Sequence, residues 1–162
     1  MKGIEPLIGA ALIIVISVSA IVIALQLSNQ AVDRTRENLV FLDGKNNLIL
    51  ISNGVKDVVL EGNGSSRLVQ INVIDGNYFV FPENDSISFV MQSKAQIIGV
   101  GVSKIEDEIN ITGLPNEIVS FVNYTNMDIQ SELQFGRGSW NVLVKNFGWN
   151  PLTQKHIINI TV

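Results

Sequence analysis

The chain reads as an α+β protein, a long N-terminal hydrophobic helix followed by an antiparallel β-sandwich or barrel-like head. Three observations predict this. From Leu7 to Leu25 there is no charged residue. From Leu25 to Leu42 the run becomes amphipathic. Beyond Asn46 the pattern changes to short β-branched and aromatic segments separated by Gly, Asn, Asp and Pro turn compositions. A length of 162 residues has room for one ordinary domain and a helical extension.

The first element is the apolar run LIGAALIIVISVSAIVIAL, residues 7–25. At 1.5 Å per residue it spans roughly 29 Å, about the hydrocarbon thickness of a bilayer. It is apolar all round, so a helix lying on a membrane surface is disfavoured. At its centre Ile14 marks where a charge would be most costly in lipid or in a dry helical core. Gly9, Ser17, Ala20 and Ala24 are small residues at helical spacings, which permit close approach of a second helix. Pro6 suits a first helical turn, where its missing N–H has no partner to lose. Glu5 sits at the positive end of the helix dipole. It either neutralises a nearby amino group or marks the membrane edge.

Leu25, Val32 and Leu39 then recur every seven residues among polar neighbours, which predicts an amphipathic continuation packed on the head. Asp43-Gly44 supplies the expected stop, giving a helix from about Ile4 to Leu42, near 58 Å long. Expected strands follow at Leu48–Ser52, Val55–Leu60, Leu68–Ile74, Tyr78–Phe81, Ile87–Met91, Gln96–Val102, Glu108–Thr112, Ile118–Tyr124, Trp140–Lys145 and Ile157–Val162. Asn53-Gly54, Gly62-Asn63-Gly64, Asp75-Gly76-Asn77 and Pro82–Asp85 read as turns. So many short strands argue a sandwich or barrel.

Composition excludes several functions. The net charge is −4 with no Lys/Arg cluster, so no nucleic-acid partner is expected. With no cysteine, disulfides, thiolate zinc sites and thiol catalysis are excluded, and one histidine cannot make a His-rich metal site. No catalytic constellation, metal site or cofactor motif is expected. His156 has no nucleophile elbow near it. Glu106-Asp107-Glu108 lacks the ligand spacing of a calcium loop and reads as a solvated acidic turn. Gly99-Val100-Gly101 reads as strand glycine. The loop Phe135-Gly136-Arg137-Gly138-Ser139-Trp140 reads as a hairpin turn, with Trp140 joining Val142 and Val144 in the core. Phe147-Gly148-Trp149-Asn150-Pro151 reads as another turn. Five N-x-Ser/Thr sequons, Asn63, Asn84, Asn110, Asn123 and Asn159, all fall in the head. Asn63 and Asn84 lie in turns, and Asn110 and Asn159 alternate against isoleucines, which predicts outward side chains and glycan on at least Asn159 or Asn63. Asn123 ranks last because Phe121 shares its strand face.

The segment Lys2-Gly3-Ile4-Glu5-Pro6-Leu7-Ile8-Gly9 resembles the class III signal of archaeal type IV prepilins, a short basic leader ending in Lys/Arg-Gly before an apolar helix. Pro6-Leu7-Ile8-Gly9 is similar to the Ser-Pro-Val-Ile-Gly stretch that opens many archaeal pilins. The resemblance covers about the first 25 residues. It implies a leader of residues 1–3 cut between Gly3 and Ile4 by a prepilin peptidase, a helix over 4–42 and an extracellular head over 43–162. It further implies insertion in the membrane, then assembly with copies of itself into a cell-surface filament displaying the head for adhesion. Glu5 departs from the bacterial pattern, whose glutamate is the fifth mature residue, here Ile8. The rival readings are an uncleaved signal anchor, a secretory signal cut after the apolar run, and an anchored binding protein or minor pilin-like component outside the bulk of a filament. Sequencing the mature N-terminus is expected to begin at Ile4. A start at Gln26 or beyond identifies a secreted domain, and an intact Met1 a plain anchor.

Overall fold

The computed structural model describes residues 4–162, with side chains described from Ile8 onward. The Gly3/Ile4 cleavage position and the side chains of Glu5 and Pro6 therefore lie outside the described residues. The chain divides into two compact units, Met1–Arg36 and Glu37–Val162. One helix, α1 (Ile4–Glu61), enters both.

The helix does not end at Leu42. It continues through Asp43-Gly44 and Asn53-Gly54 to Glu61, so the strands expected at Leu48–Ser52 and Val55–Leu60 are helical turns. The cause is visible in the packing. Phe41, Leu48, Ile51, Val55 and Val58 are buried at alternating spacings of three and four, with Gly44 completing the row. That stripe faces a core, and tertiary burial overrides the strand preference of its β-branched residues. The two glycines are notches rather than stops. A Cβ on Gly44 would stand 2.0 Å from Cε1 of Phe89, and one on Gly54 2.8 Å from Cγ2 of Val69. The helix stops at Gly62, whose φ of +93° is the left-handed geometry of a helix C-terminus. The carbonyl of Val58, in the last helical turn, also accepts from Asn146 Nδ2 at 3.0 Å and Ser65 Oγ at 2.6 Å.

Ten strands follow: β1 (Ser66–Val73), β2 (Asn77–Phe81), β3 (Ser86–Gln92), β4 (Ser103–Glu106), β5 (Ile109–Leu114), β6 (Glu117–Asn123), β7 (Met127–Ile129), β8 (Leu133–Phe135), β9 (Gly138–Asn150) and β10 (Lys155–Thr161). They form a four-stranded sheet, β1-β9-β10-β7, and a six-stranded sheet, β4-β5-β6-β3-β2-β8. Pairing is antiparallel except between β10 and β7. The chain is thus α+β, with a long apolar N-terminal helix and a mostly antiparallel β region.

The alternation expected in β1 and β3 holds: Ile71, Val73, Ile87, Phe89 and Met91 are buried, with Val69 packed beside them. Residues 96–102 are not a strand. Left-handed Gln96 and Gly101 interrupt the extended backbone, and Gly113 of β5 accepts from Gly101 N and donates to Val102 O. Phe147-Gly148-Trp149 lies within β9, and the turn falls after Asn150. β4, β7 and β8 are too short to leave a periodic signal.

Helix and sheets share one core. Tyr78 Oη donates to Gly44 O at 2.8 Å from the six-stranded sheet, and Asn47 Nδ2 donates to Asn72 O at 2.9 Å beside the other. Glu37 fixes the loop after β3, accepting from Ser93 Oγ at 2.8 Å, Lys94 N at 2.9 Å and Ala95 N at 3.0 Å.

Two outcomes follow from this packing. Gly44→Ala gains about 1 kcal/mol of helix propensity, yet a 2.0 Å contact with an aromatic ring forces overpacking that costs more. A net loss of about 1–2 kcal/mol is expected, read as a lower urea midpoint at constant slope. Burial raises both tyrosines, Tyr78 far above the ordinary range and Tyr124 to about 12. Neutral phenols are favoured in the fold, so stability is full below pH about 10 and declines as pH rises toward 12. Tyrosinate absorbance should appear only as the protein unfolds. A normal titration near 10 would contradict the buried positions.

Candidate functional site

The helix segment supplies the first candidate surface. Every residue from Ile8 to Arg36 is exposed, including Ile14 at 62%. By length and composition this helix is apolar enough to cross a membrane. Two of its hydroxyls are turned onto the helix backbone: Ser19 Oγ donates to Val15 O at 2.8 Å and Thr35 Oγ1 to Ala31 O at 2.9 Å. Gly9, Ser17, Ala20 and Ala24 fall within about 80° of helix circumference, one face open to a neighbour. Nothing lies within 4 Å of a Cβ built on Gly9. Leu25, Val32 and Leu39 do not join the head core as expected. All three are exposed, and the buried stripe begins at Val40 and Phe41.

The acidic run Glu106-Asp107-Glu108 forms the β4–β5 turn, with Asp107 and Glu108 both at positive φ. It is an anchor to the helix as well as a solvated turn. Lys45 Nζ bonds Glu106 at 3.2 Å and Asp107 at 3.3 Å, while Lys56 pairs with Glu108. Hydrogen bonds from Lys104 and Lys45 hold Glu106 below the usual carboxylate range, and the bond that Lys45 donates to Glu106 raises Lys45. The contribution is present through neutral pH. It is lost as pH falls through the lowered Glu106 value or rises through the raised Lys45 value.

The remaining sequence candidates separate into core and surface. Trp140 packs beside the core with Val142 and Val144, its Nε1 donating to Gly136 O at 2.7 Å, and its ring lies 5.6 Å from Phe135. Arg137 is exposed in that turn. Phe147 and Trp149 point outward, and His156 meets the edge of Trp149 at 5.0 Å. Gly99 and Gly101 lie in the loop before β4 rather than in a strand.

The sequons all lie on the head. Asn63, Asn84 and Asn123 are exposed, whereas Asn110 and Asn159 are half-buried between isoleucines that point inward. Asn159 Oδ1 is buried without a partner. The reason for ranking Asn123 last does not hold. Phe121 does share its face, but that face is the open side of the six-stranded sheet.

There a trench of about 790 Å³ runs along β3. Ser86 and Ser88 form its floor, because in register they stand between Phe81 or Phe79 on β2 and Asn123 or Phe121 on β6. Phe79 and Phe81 stack at 5.8 Å and form one wall. Sequence reasoning missed this site and the Glu37 anchor. The signal for the trench was present as alternation opposite in phase to the core residues of the same strands. No family model, curated protein or solved structure matches the chain.

Truncation tests which residues belong to the head. A fragment beginning at Gln26 keeps Glu37, Val40 and Phe41 and should be soluble and folded. One beginning at Asp43 loses all three and should unfold earlier, because removing a buried phenylalanine alone costs about 3–5 kcal/mol. Thermal melts of both fragments provide the check.

Proposed function

We propose that this chain is the structural subunit of an archaeal type IV pilus-like surface filament. After a prepilin peptidase removes residues 1–3, the helix holds the subunit in the membrane and then packs with copies of itself. The head, two sheets in a sandwich-like arrangement with the buried end of α1 in its core, is displayed outside for adhesion and carries glycans on sequons. It acts by contact rather than catalysis. The observation that carries this reading is the state of α1. Residues 8–25 expose apolar side chains on every side, while from Val40 onward the same helix is built into a folded head. A soluble domain has no use for the first part. The leader resemblance supports the same conclusion.

The trench favours a second reading, an anchored surface protein or minor component that binds through its head. One experiment separates the two. Filaments sheared from the source cells, imaged by electron microscopy and analysed by mass spectrometry, should contain this chain as their bulk. Ile14→Arg should abolish them, since a charge there costs about 2.5–3.5 kcal/mol per subunit at a membrane centre. Normal filaments with that substitution would overturn the assembly role. A chain found in membranes and absent from filaments establishes the second reading.

A further inference from the structure

We propose that the outer trench of the six-stranded sheet is the bed of a glycan attached to Asn123 of the same chain. The inference rests on the exported head proposed above and adds which sequon is modified and where its sugar lies.

Three observations carry it. First, among the five sequons only Asn123 and Thr125 expose both the asparagine and the hydroxyl-bearing residue. The hydroxyl of Ser65 is committed to Val58 O and Gly62 O, Ser86 is buried, and Asn110 and Asn159 are half-buried. Second, Asn123 opens directly onto aromatic surface. Phe121 stands two residues away on the same face, roughly 6.8 Å along the strand. Phe81 and Asn123 flank Ser86 from opposite neighbouring strands. Phe81 is 42% exposed and stacked on Phe79, so a flat apolar wall meets solvent beside an amide. The C–H face of a pyranose covers such rings and removes their apolar area from water. Third, Ser88 belongs to the trench floor between Phe79 and Phe121, is 5% exposed, and its Oγ has no hydrogen-bond partner. An unsatisfied buried hydroxyl is costly, and sugar hydroxyls are of the kind that would pair with it.

The modification needs an activated sugar on a diphosphate carrier and a transferring enzyme. Asn123 Nδ2 attacks the anomeric carbon and a C–N bond forms. The bond from that carbon to the phosphate oxygen breaks, the diphosphate carrier leaves with the electron pair, and the amide proton passes to a base of the enzyme.

The test uses full-length protein from its own cells. Glycopeptide mapping should find sugar on Asn123, and protease applied to intact cells should reach the head. Other sequons occupied with Asn123 bare, or a reachable head bearing no glycan, overturns the inference and leaves export standing. An unreachable head overturns both. The bed is then read with a dye that fluoresces on apolar surface. Asn123→Gln and Thr125→Ala should each raise its fluorescence severalfold over the occupied protein. Adding Phe79→Ala and Phe121→Ala should remove the gain. Equal fluorescence with and without the glycan means the sugar projects into solvent and overturns the bed. A trench bare in native protein that free oligosaccharide saturates identifies a receptor site and overturns the resident glycan.

Discussion

The head is organised by the burial of one helical stripe. Phe41, Leu48, Ile51, Val55 and Val58 leave water together, and side chains of both sheets close over them. Each such residue is worth about 1.5–3 kcal/mol when fully buried, so the stripe holds a large share of what a domain this size can spare. The polar contacts around it serve the same arrangement. Asn146 and Ser65 satisfy the terminal carbonyl of Val58, Tyr78 reaches the carbonyl of Gly44, and Glu37 collects the donors of the Ser93–Ala95 loop. The buried ones, Tyr78 with Gly44 and Asn146 with Val58, would otherwise leave polar groups in a dry interior that oppose folding.

How much of this was legible in the sequence differs by element. The apolar N-terminal helix was plain, because a run without charge needs no context. The strands of the six-stranded sheet were legible wherever two-residue alternation was long enough, as at Ile87, Phe89 and Met91. The second half of the helix was not. Its spacing of three and four was present, yet Asp43-Gly44 and Asn53-Gly54 look like punctuation and Leu48–Leu60 is rich in β-branched residues. Gly44 and Gly54 sit where they do because Phe89 and Val69 come from strands far along the chain. No local reading contains that information. Propensity lost to burial.

The candidate surfaces divide in the same way. Sequons are local patterns and were found, but their accessibility depends on pairing. Asn123 looked compromised by Phe121 because an aromatic alternating with an asparagine usually marks an inward face. In β6 the inward row is Ile118, Ser120 and Val122, and the Phe121 row faces out. An aromatic row on the open side of a sheet is the anomaly that marked the trench. It took the register of β2, β3 and β6 to place Phe81, Ser86 and Asn123 side by side.

The part of α1 buried in the head also decides how the head would resist force. Within the head, tension applied along the axis of α1 from Glu37 onward would run through successive backbone hydrogen bonds into the buried stripe without crossing a loop. The row from Phe41 to Val58 lies along that axis, so pulling loads its side chains in parallel, as shear, rather than peeling them one at a time. The Glu37 carboxylate and the Lys45 and Lys56 ion pairs stand beside the same row and share the load. Mechanical strength in this head is therefore a collective property of a helix–sheet contact, set by how many side chains must leave their seats at once.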